Sequence, residues 1–480
     1  MTVAELEHHK VYLNGKWLAT GNELAVVNPA DGRVFAHVST VDREQVRSAL
    51  GAAHAAFPAW RALTAKERGG FLMRVADELK RRHEEIARTI TLENGKPLAQ
   101  SKGEVLMAED HLRWFAEEGR RAYGRAIPQQ DPRKRNLVIK SPIGPVGAIA
   151  PWNFPLVLSV RKVAPALAAG CPVVLKPASK TPLCAVLLAE CMEAAGIPAG
   201  VFQLVIGKAS MIAAEFLENP LCRKITFTGS TEVGQSLIRD AAKSVKPLSL
   251  ELGGHAPLLV FDDCDLSIAV REAIVAKFRN NGQSCIAANR IYVQKSVHEE
   301  FLWRFVAATK ALKVGSGLEP GVDVGPLIDE RALTSALHQV DDAVQRGAKV
   351  CCGGARLEKD GGNYLAPTVL DGVNDESLCM HEESFAPLAP VCTFESEEEA
   401  IARANQSKYG LSAYVMTRDY ARILRCAEAL EAGSIGINDG APTTSNAPFG
   451  GIKQSGWGRE LGSEGLDAFL ETKHVSIGMY

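Results

Sequence analysis

Pro145 to Ser179 reads PVGAIAPWNFPLVLSVRKVAPALAAGCPVVLKPAS, and the order of periods within it decides the fold class. Val146 to Ala150 is an apolar run of buried-strand length, and the loop Pro151, Trp152, Asn153, Phe154, Pro155 breaks it. Helical apolar spacing then runs through Ala164 to Ala169, stops at Gly170, and gives way to a second strand from Pro172 to Lys176. The unit recurs downstream. Thr181 and Pro182 supply an N-cap and first helical position for Leu183 to Ala195, with Gly196 at its end. Phe202 to Ile206 and Ile225 to Thr228 are two further strands, and Gly229 to Gly234, GSTEVG, opens the helix after the second. Strands alternating with helices predict an α/β fold built on doubly wound parallel sheets, with ligands at the carboxyl ends of the strands.

Upstream, residues 10–40 carry short strands broken by turns, and the pattern from Asp42 to Gly119 is helical. The basic run KRNLVIKSP, residues 134–142, is open to an anion-binding reading. Its alternation, with Leu137 and Ile139 on one side, favours an exposed hairpin in need of a partner. Downstream lies a second α/β unit, with helices from His298 to Leu312 and from Ala332 to Gly347. Asn446 to Gly462 is dense in glycine around Phe449 and Trp457, which predicts backbone packed closely on another surface. Phe469 to Met479 alternates as a strand.

A net charge of -2 over 480 residues, with 46% hydrophobic and 23% charged, describes an ordinary globular chain and offers no general attraction to nucleic acid or an acidic membrane. The 11 cysteines show no CxxC pair, so neither a zinc site nor a disulfide framework is expected. The N-terminus MTVAELEHHK has no apolar core, and the chain reads as cytoplasmic.

Asn280 to Arg290, NNGQSCIAANR, places Cys285 in a small polar loop. A helical face formed by Ile268, Val270, Ile274, Val275 and Phe278 precedes it, with Asn281 and Gly282 as the C-cap, and a strand from Arg290 to Gln294 follows. A thiol held this way can be aimed as a nucleophile, although an isolated cysteine is more often a small buried hydrophobe. GSTEVG has Thr231 where the dinucleotide fingerprint has its middle glycine, so its local reading stays open between nucleotide binding and a plain strand-to-helix turn.

Several motifs in order carry a resemblance: PWNFP, GSTEVG, ELGG at Glu251 to Gly254, GQSC about thirty residues on, the EESF segment, and PFGGIKQSGWGRE. Together the chain resembles the NAD(P)-dependent aldehyde dehydrogenase superfamily, and RKVAPALAAGCPVVLKPAS and KFRNNGQSC are most similar to its succinate-semialdehyde dehydrogenases. The resemblance implies a dinucleotide-binding domain from 1–123 and 143–251, a catalytic domain from 252–445, and a small β oligomerisation arm from 124–142 and 466–480. It implies Cys285 as nucleophile, Asn153 with the Cys285 N–H as oxyanion donors, and Glu251 as base for thioester hydrolysis. It implies Trp152, Lys176, Ser179, Lys180, Gly229, Ser230, Glu383 and Phe385 around NADP or NAD. Members that demand NAD carry glutamate where this chain has Ser179, so NADP is favoured. Arg161 and Arg279, with Ser445, match the groups that hold a substrate carboxylate. The expected substrate is a small carboxylated aldehyde, succinate semialdehyde, with glutarate semialdehyde or a neutral aldehyde as the alternative. A homodimer or homotetramer without a metal site is implied. Three positions depart from the common pattern: His255 replaces asparagine after ELGG, Ala287 stands in place of a second cysteine, and Ala386 replaces a glycine.

Overall fold

The computed structural model describes residues 7–479; residues 1–6, within the N-terminal stretch, and residue 480, the last position of the expected arm, lie outside the described residues. Two large sheets organise the chain. The first has eight strands, in chain order β1 (Val11–Leu13), β2 (Lys16–Leu18), β3 (Val146–Ile149), β4 (Val173–Lys176), β5 (Phe202–Leu204), β6 (Lys224–Thr228), β7 (Leu248–Glu251) and the short Gly456–Trp457. Across the sheet they run Gly456–Trp457, β7, β6, β3, β4, β5, β1, β2. From β3 the chain moves outward through β4 and β5, then returns to lay β6 and β7 on the other side of β3. The strand order therefore reverses between β3 and β6, and a crevice opens there beyond their carboxyl ends. Ile149 stands opposite Phe227 at that edge, so Trp152, Asn153, Gly229 and Ser230 emerge at the crevice.

Four helices precede β3: α1 (Arg43–Ala62), α2 (Ala65–Arg81), α3 (His83–Asn94) and α4 (Leu98–Glu118). Four more accompany the following strands: α5 (Val157–Ala169), α6 (Leu183–Ala194), α7 (Ala209–Glu218) and α8 (Thr231–Ala241). Every residue of α5 is buried, including Arg161 and Lys162. A helix apolar on all sides belongs in a core, and charges inside one need partners. The start of α6 differs from expectation. Thr181 does not cap it; its hydroxyl donates to the Trp152 carbonyl at 3.4 Å, and Pro182 holds the cap position without a side-chain bond. The Glu93 carboxyl accepts the Leu183 and Cys184 N–H groups instead, at 2.7 and 3.0 Å. A long-range acceptor has displaced the local one.

The second sheet has seven strands, β8 (Ala256–Val260), β9 (Ala288–Gln294), β10 (Lys349–Cys352), β11 (Thr368–Asp371), β12 (Leu388–Phe394), β13 (Ser412–Met416) and β14 (Ser434–Ile437), in the spatial order β10, β11, β12, β9, β8, β13, β14. All pairs are parallel except β10 with β11. A third, three-stranded sheet joins Arg125–Ile127, Lys134–Pro142 and Leu470–Gly478, the last pairing antiparallel from Leu470 opposite Pro142 to Gly478 opposite Lys134. Leu137, Ile139 and Ile477 share its outward face and are exposed, whereas Val138 turns inward. No helix among the described residues is long and apolar enough to cross a membrane.

Glu93 is fully buried, and burial pushes its carboxyl up to about 8. Glu93→Ala leaves two buried N–H groups without an acceptor, so the free energy of unfolding in urea should fall by about 2 kcal/mol. An unchanged midpoint would show that those amides do not depend on it.

Candidate active site

The two sheets meet end to start. Glu251 closes β7, and after Leu252, Gly253, Gly254 and His255 the chain enters β8 at Ala256, which stands opposite Ala288 at the start of β9. Cys285 lies three residues before Ala288, in the seam. The approach is close: a Cβ on Gly254 would sit 2.1 Å from the Cys285 carbonyl oxygen, and one on Gly282 would sit 2.2 Å from that of Ala386. Neither position tolerates a side chain without moving backbone.

The helix before the loop, α9 (Leu266–Phe278), ends earlier than its sequence suggests. Asn280, Asn281 and Gly282 then take φ of 54°, 60° and 74° in succession, so the expected C-cap is a run of three left-handed residues. Asparagine tolerates this region because its side chain bonds locally. The Asn281 side chain accepts from the Gly325 N–H at 2.6 Å and donates to the Pro326 carbonyl at 2.9 Å. Asn280 Nδ2 donates to the carbonyls of Gln283 and Asn153 at 2.9 and 2.8 Å.

Asn153 is held from two sides. Its amide donates to the Gln283 carbonyl at 3.2 Å, which ties it to the loop that carries Cys285. Its backbone carbonyl also accepts from Lys96 Nζ at 2.7 Å. Lys96 is completely buried and donates at 2.6 Å to Glu104 Oε2, while Glu104 Oε1 accepts the Leu156 and Val157 N–H groups at the start of α5, at 2.9 and 3.2 Å. Motif reading missed this pair. In the sequence both read as charges on solvated faces of the helical region.

Burial dominates the electrostatics. It pushes the Cys285 thiol up to about 12, with Glu383 and Glu251 adding to the rise and Arg161 opposing it. Burial also lifts the Glu251 carboxyl well above its usual range; Glu460 adds to this, and Lys162, Arg161 and Arg459 oppose it. Glu251 Oε2 has no partner among the described residues, whereas Glu460 receives Lys162 Nζ at 2.5 Å, and Lys162 also donates to Thr228 Oγ1 at 2.6 Å. Lys162 and Glu460 are a second pair that the sequence reading missed. Arg161 is buried, its guanidinium 4.8 Å from the Phe449 ring and its Nε unpartnered. Burial holds it below its usual value, while the charges of Glu460, Cys285, Glu251 and Arg279 all act on it. Arg279 follows α9 directly and lies 5.8 Å from the Phe154 ring. The structure thus gathers Cys285, Glu251, Asn153, Arg161 and Arg279. Ser445 is buried, and its carbonyl accepts the Gly462 N–H at 3.0 Å.

On the other side, Glu383 Oε1 accepts the Gly254 N–H at 3.1 Å, and burial pushes its carboxyl up to about 8. Phe385 takes φ of 45° and sets its ring edge-on to Trp152 at 5.4 Å. The strained residue is therefore Phe385, and Ala386 needs no glycine. Lys176 is buried at the end of β4, pushed down to about 8 by burial, and makes no ion pair among the described residues. Lys180 is paired with Asp329, and Ser179 is partly exposed. Ser230 caps α8 by accepting the Val233 N–H at 3.4 Å. Between α7 and α8 a cavity of about 820 Å³ is walled by Ile149, Ala213, Phe227, Val233 and Leu237.

The aldehyde dehydrogenase family profile matches residues 17–475. The chain belongs to the aldehyde dehydrogenase family. It is 48% identical over 478 residues to the glutarate-semialdehyde dehydrogenase of Pseudomonas putida, covering 99% of each chain. It is equally similar, at 48% over 478 residues and 99% of each chain, to the succinate-semialdehyde dehydrogenase [NADP(+)] of Escherichia coli. Among solved structures, the succinate-semialdehyde dehydrogenase of Burkholderia pseudomallei superposes with a TM-score of 0.97 at 44% identity, covering 100% of this chain and 99% of that one.

Burial therefore favours the protonated form of the Cys285 thiol at neutral pH. Well below its pKa the thiolate fraction rises tenfold per pH unit. Inactivation by iodoacetamide without cofactor should therefore accelerate about tenfold from pH 7 to 8 and again from 8 to 9. A plateau by pH 8 would show a pre-ionised thiolate.

Proposed function

We propose that this aldehyde dehydrogenase oxidises a small carboxylated aldehyde, succinate semialdehyde, to its acid with NADP or NAD. The carrying observation is the two guanidinium groups beside Cys285: Arg161 acts on the thiol and on Glu251, Arg279 acts on Arg161, and neither forms an ion pair among the described residues. A buried cation and a half-buried one, both without counter-ions, favour an anionic ligand, and the fork of arginine suits a carboxylate.

The cofactor side fits a dinucleotide. The apolar slot between α7 and α8 suits an adenine ring, Lys176 is a buried cation lacking an anion, and Glu383 presents a carboxyl with one oxygen already fixed by Gly254. Trp152, Gly229, Ser230 and Phe385 border the same crevice. Ser179 brings no negative charge against a 2′-phosphate, which supports NADP. With Lys180 engaged by Asp329, Lys176 is the cation left to favour it. Bound nicotinamide supplies the hydride acceptor.

The chain's own residues do the rest. Cys285 first loses its proton to water; the thiolate then adds to the aldehyde carbon, and the oxyanion that forms is met by the Asn153 amide and the Cys285 N–H, each worth about 3 kcal/mol on the scale of acyl transfer. After oxidation the acyl group stands as a thioester on Cys285. Glu251, its carboxyl raised by burial and Glu460, takes a proton from water as the oxygen adds to the acyl carbon; the C–S bond breaks and the thiolate leaves. Glutarate semialdehyde, one methylene longer, meets the same arginines and is the second reading, supported by the equal similarity to both kinds of relative. The exposed apolar row of Leu137, Ile139 and Ile477 supports a homodimer or homotetramer formed through the arm.

Initial rates with succinate semialdehyde, glutarate semialdehyde and hexanal, each with NAD and NADP, test the proposal. A kcat/KM advantage of about a hundredfold for one semialdehyde acid over hexanal is expected, and Arg279→Ala should remove most of it. Equal kcat/KM for hexanal and the acids would discard the carboxylate-binding role of the arginines.

A further inference from the structure

His111 lies on α4, fully buried, with both ring nitrogens unpartnered among the described residues. Two anchors fix how α4 runs along α5. Near the start of α5, Glu104 Oε1 accepts the Leu156 and Val157 N–H groups at 2.9 and 3.2 Å. Near its end, Gly119, immediately after α4, abuts Ala168, with 3.4 Å from a Cβ built on the glycine to that of the alanine. The two helices therefore run parallel. His111, halfway between the anchors, stands level with Arg161, and the Arg161 charge acts on its ring.

Arg161 Nε is also buried without an acceptor. A buried N–H that lacks an acceptor and a buried imidazole nitrogen that lacks a donor are both costly, and here they lie on facing helices at one level. We propose that His111 is a positioning residue for substrate recognition, accepting a hydrogen bond from Arg161 Nε when the terminal nitrogens of that arginine engage the carboxylate of the substrate. This rests on the proposed role of Arg161 in holding a carboxylate. Burial and the Arg161 charge keep the imidazole well below its usual pKa, so the ring is neutral and retains one lone pair for the bond. His111 does not touch substrate. It holds the guanidinium on its hidden side, while Phe449 packs against it.

The test compares KM for succinate semialdehyde and for hexanal in His111→Phe, His111→Gln, Arg161→Met and the Arg161→Met/His111→Phe double variant. His111→Phe should raise KM for the acid about tenfold more than KM for hexanal. His111→Gln, whose amide oxygen can accept, should recover most of that difference. The double variant should discriminate no worse than Arg161→Met alone, because His111 acts through Arg161. Equal rises for the two aldehydes in His111→Phe, or additive losses in the double variant, would overturn the His111 role while leaving Arg161 its own. Failure of Arg161→Met to discriminate would overturn the carboxylate reading and the His111 role together.

Discussion

The Lys96 ammonium is the constraint on which the catalytic geometry depends. A charge taken fully out of water is expensive, and an ion pair compensates only when its remaining hydrogen-bond capacity is met. Here it is met by backbone that matters. Lys96 reaches the Asn153 carbonyl, and Glu104 accepts the first N–H groups of α5. One buried pair thus sets the loop that presents the Asn153 amide, the start of the helix that carries Arg161 and Lys162, and the distance from α4 to both. Asn280 meets the same Asn153 carbonyl from the loop that carries Cys285, so the two sides of the crevice share an acceptor.

A second consequence concerns how two neighbouring carboxyl groups divide their roles. Glu251 and Glu460 repel one another's charge, and only Glu460 is met by Lys162. Negative charge is best accommodated where the ammonium is, which leaves Glu251 with an orphaned oxygen and a raised pKa. Environment, not residue type, separates a paired carboxylate from a candidate base. The same burial that serves Glu251 penalises the Cys285 thiolate, and Arg161 is the group that opposes both effects.

The α/β units were legible because their signals are local: strand length, helical spacing, and glycines such as Gly170 and Gly196 at helix ends. The carboxyl-end location of the site followed from that alternation alone. What local reading could not supply were partners distant in sequence. Thr181 looked like a cap because nothing nearby announces Glu93, ninety residues earlier. Lys96, Glu104, Lys162 and Glu460 looked like ordinary charges because their contacts lie across the fold. Asn281 and Gly282 announced a helix C-cap, but that Asn280 would join them in a left-handed series of three depends on acceptors and donors at Gly325, Pro326 and Asn153. Cys285 itself became legible only through the order of surrounding motifs.

On the proposed reading, chain-length selection follows from where the two arginines are mounted. Arg279 belongs to the same short loop as Cys285, and that loop is pinned by the Asn280 and Asn281 bonds and by the contact of Gly282 with Ala386. The span from Arg279 to the sulfur is therefore set within one rigid piece of backbone. Arg161 comes from α5, whose position is set independently by Glu104 and Lys96. On the proposed reading, an aldehyde whose carboxylate fits the span to Arg279 is measured by the loop alone, whereas a longer one must also find Arg161 in place. Discrimination between succinate and glutarate semialdehydes then depends on the register of α5 against α4, and on whatever steadies the Arg161 guanidinium there.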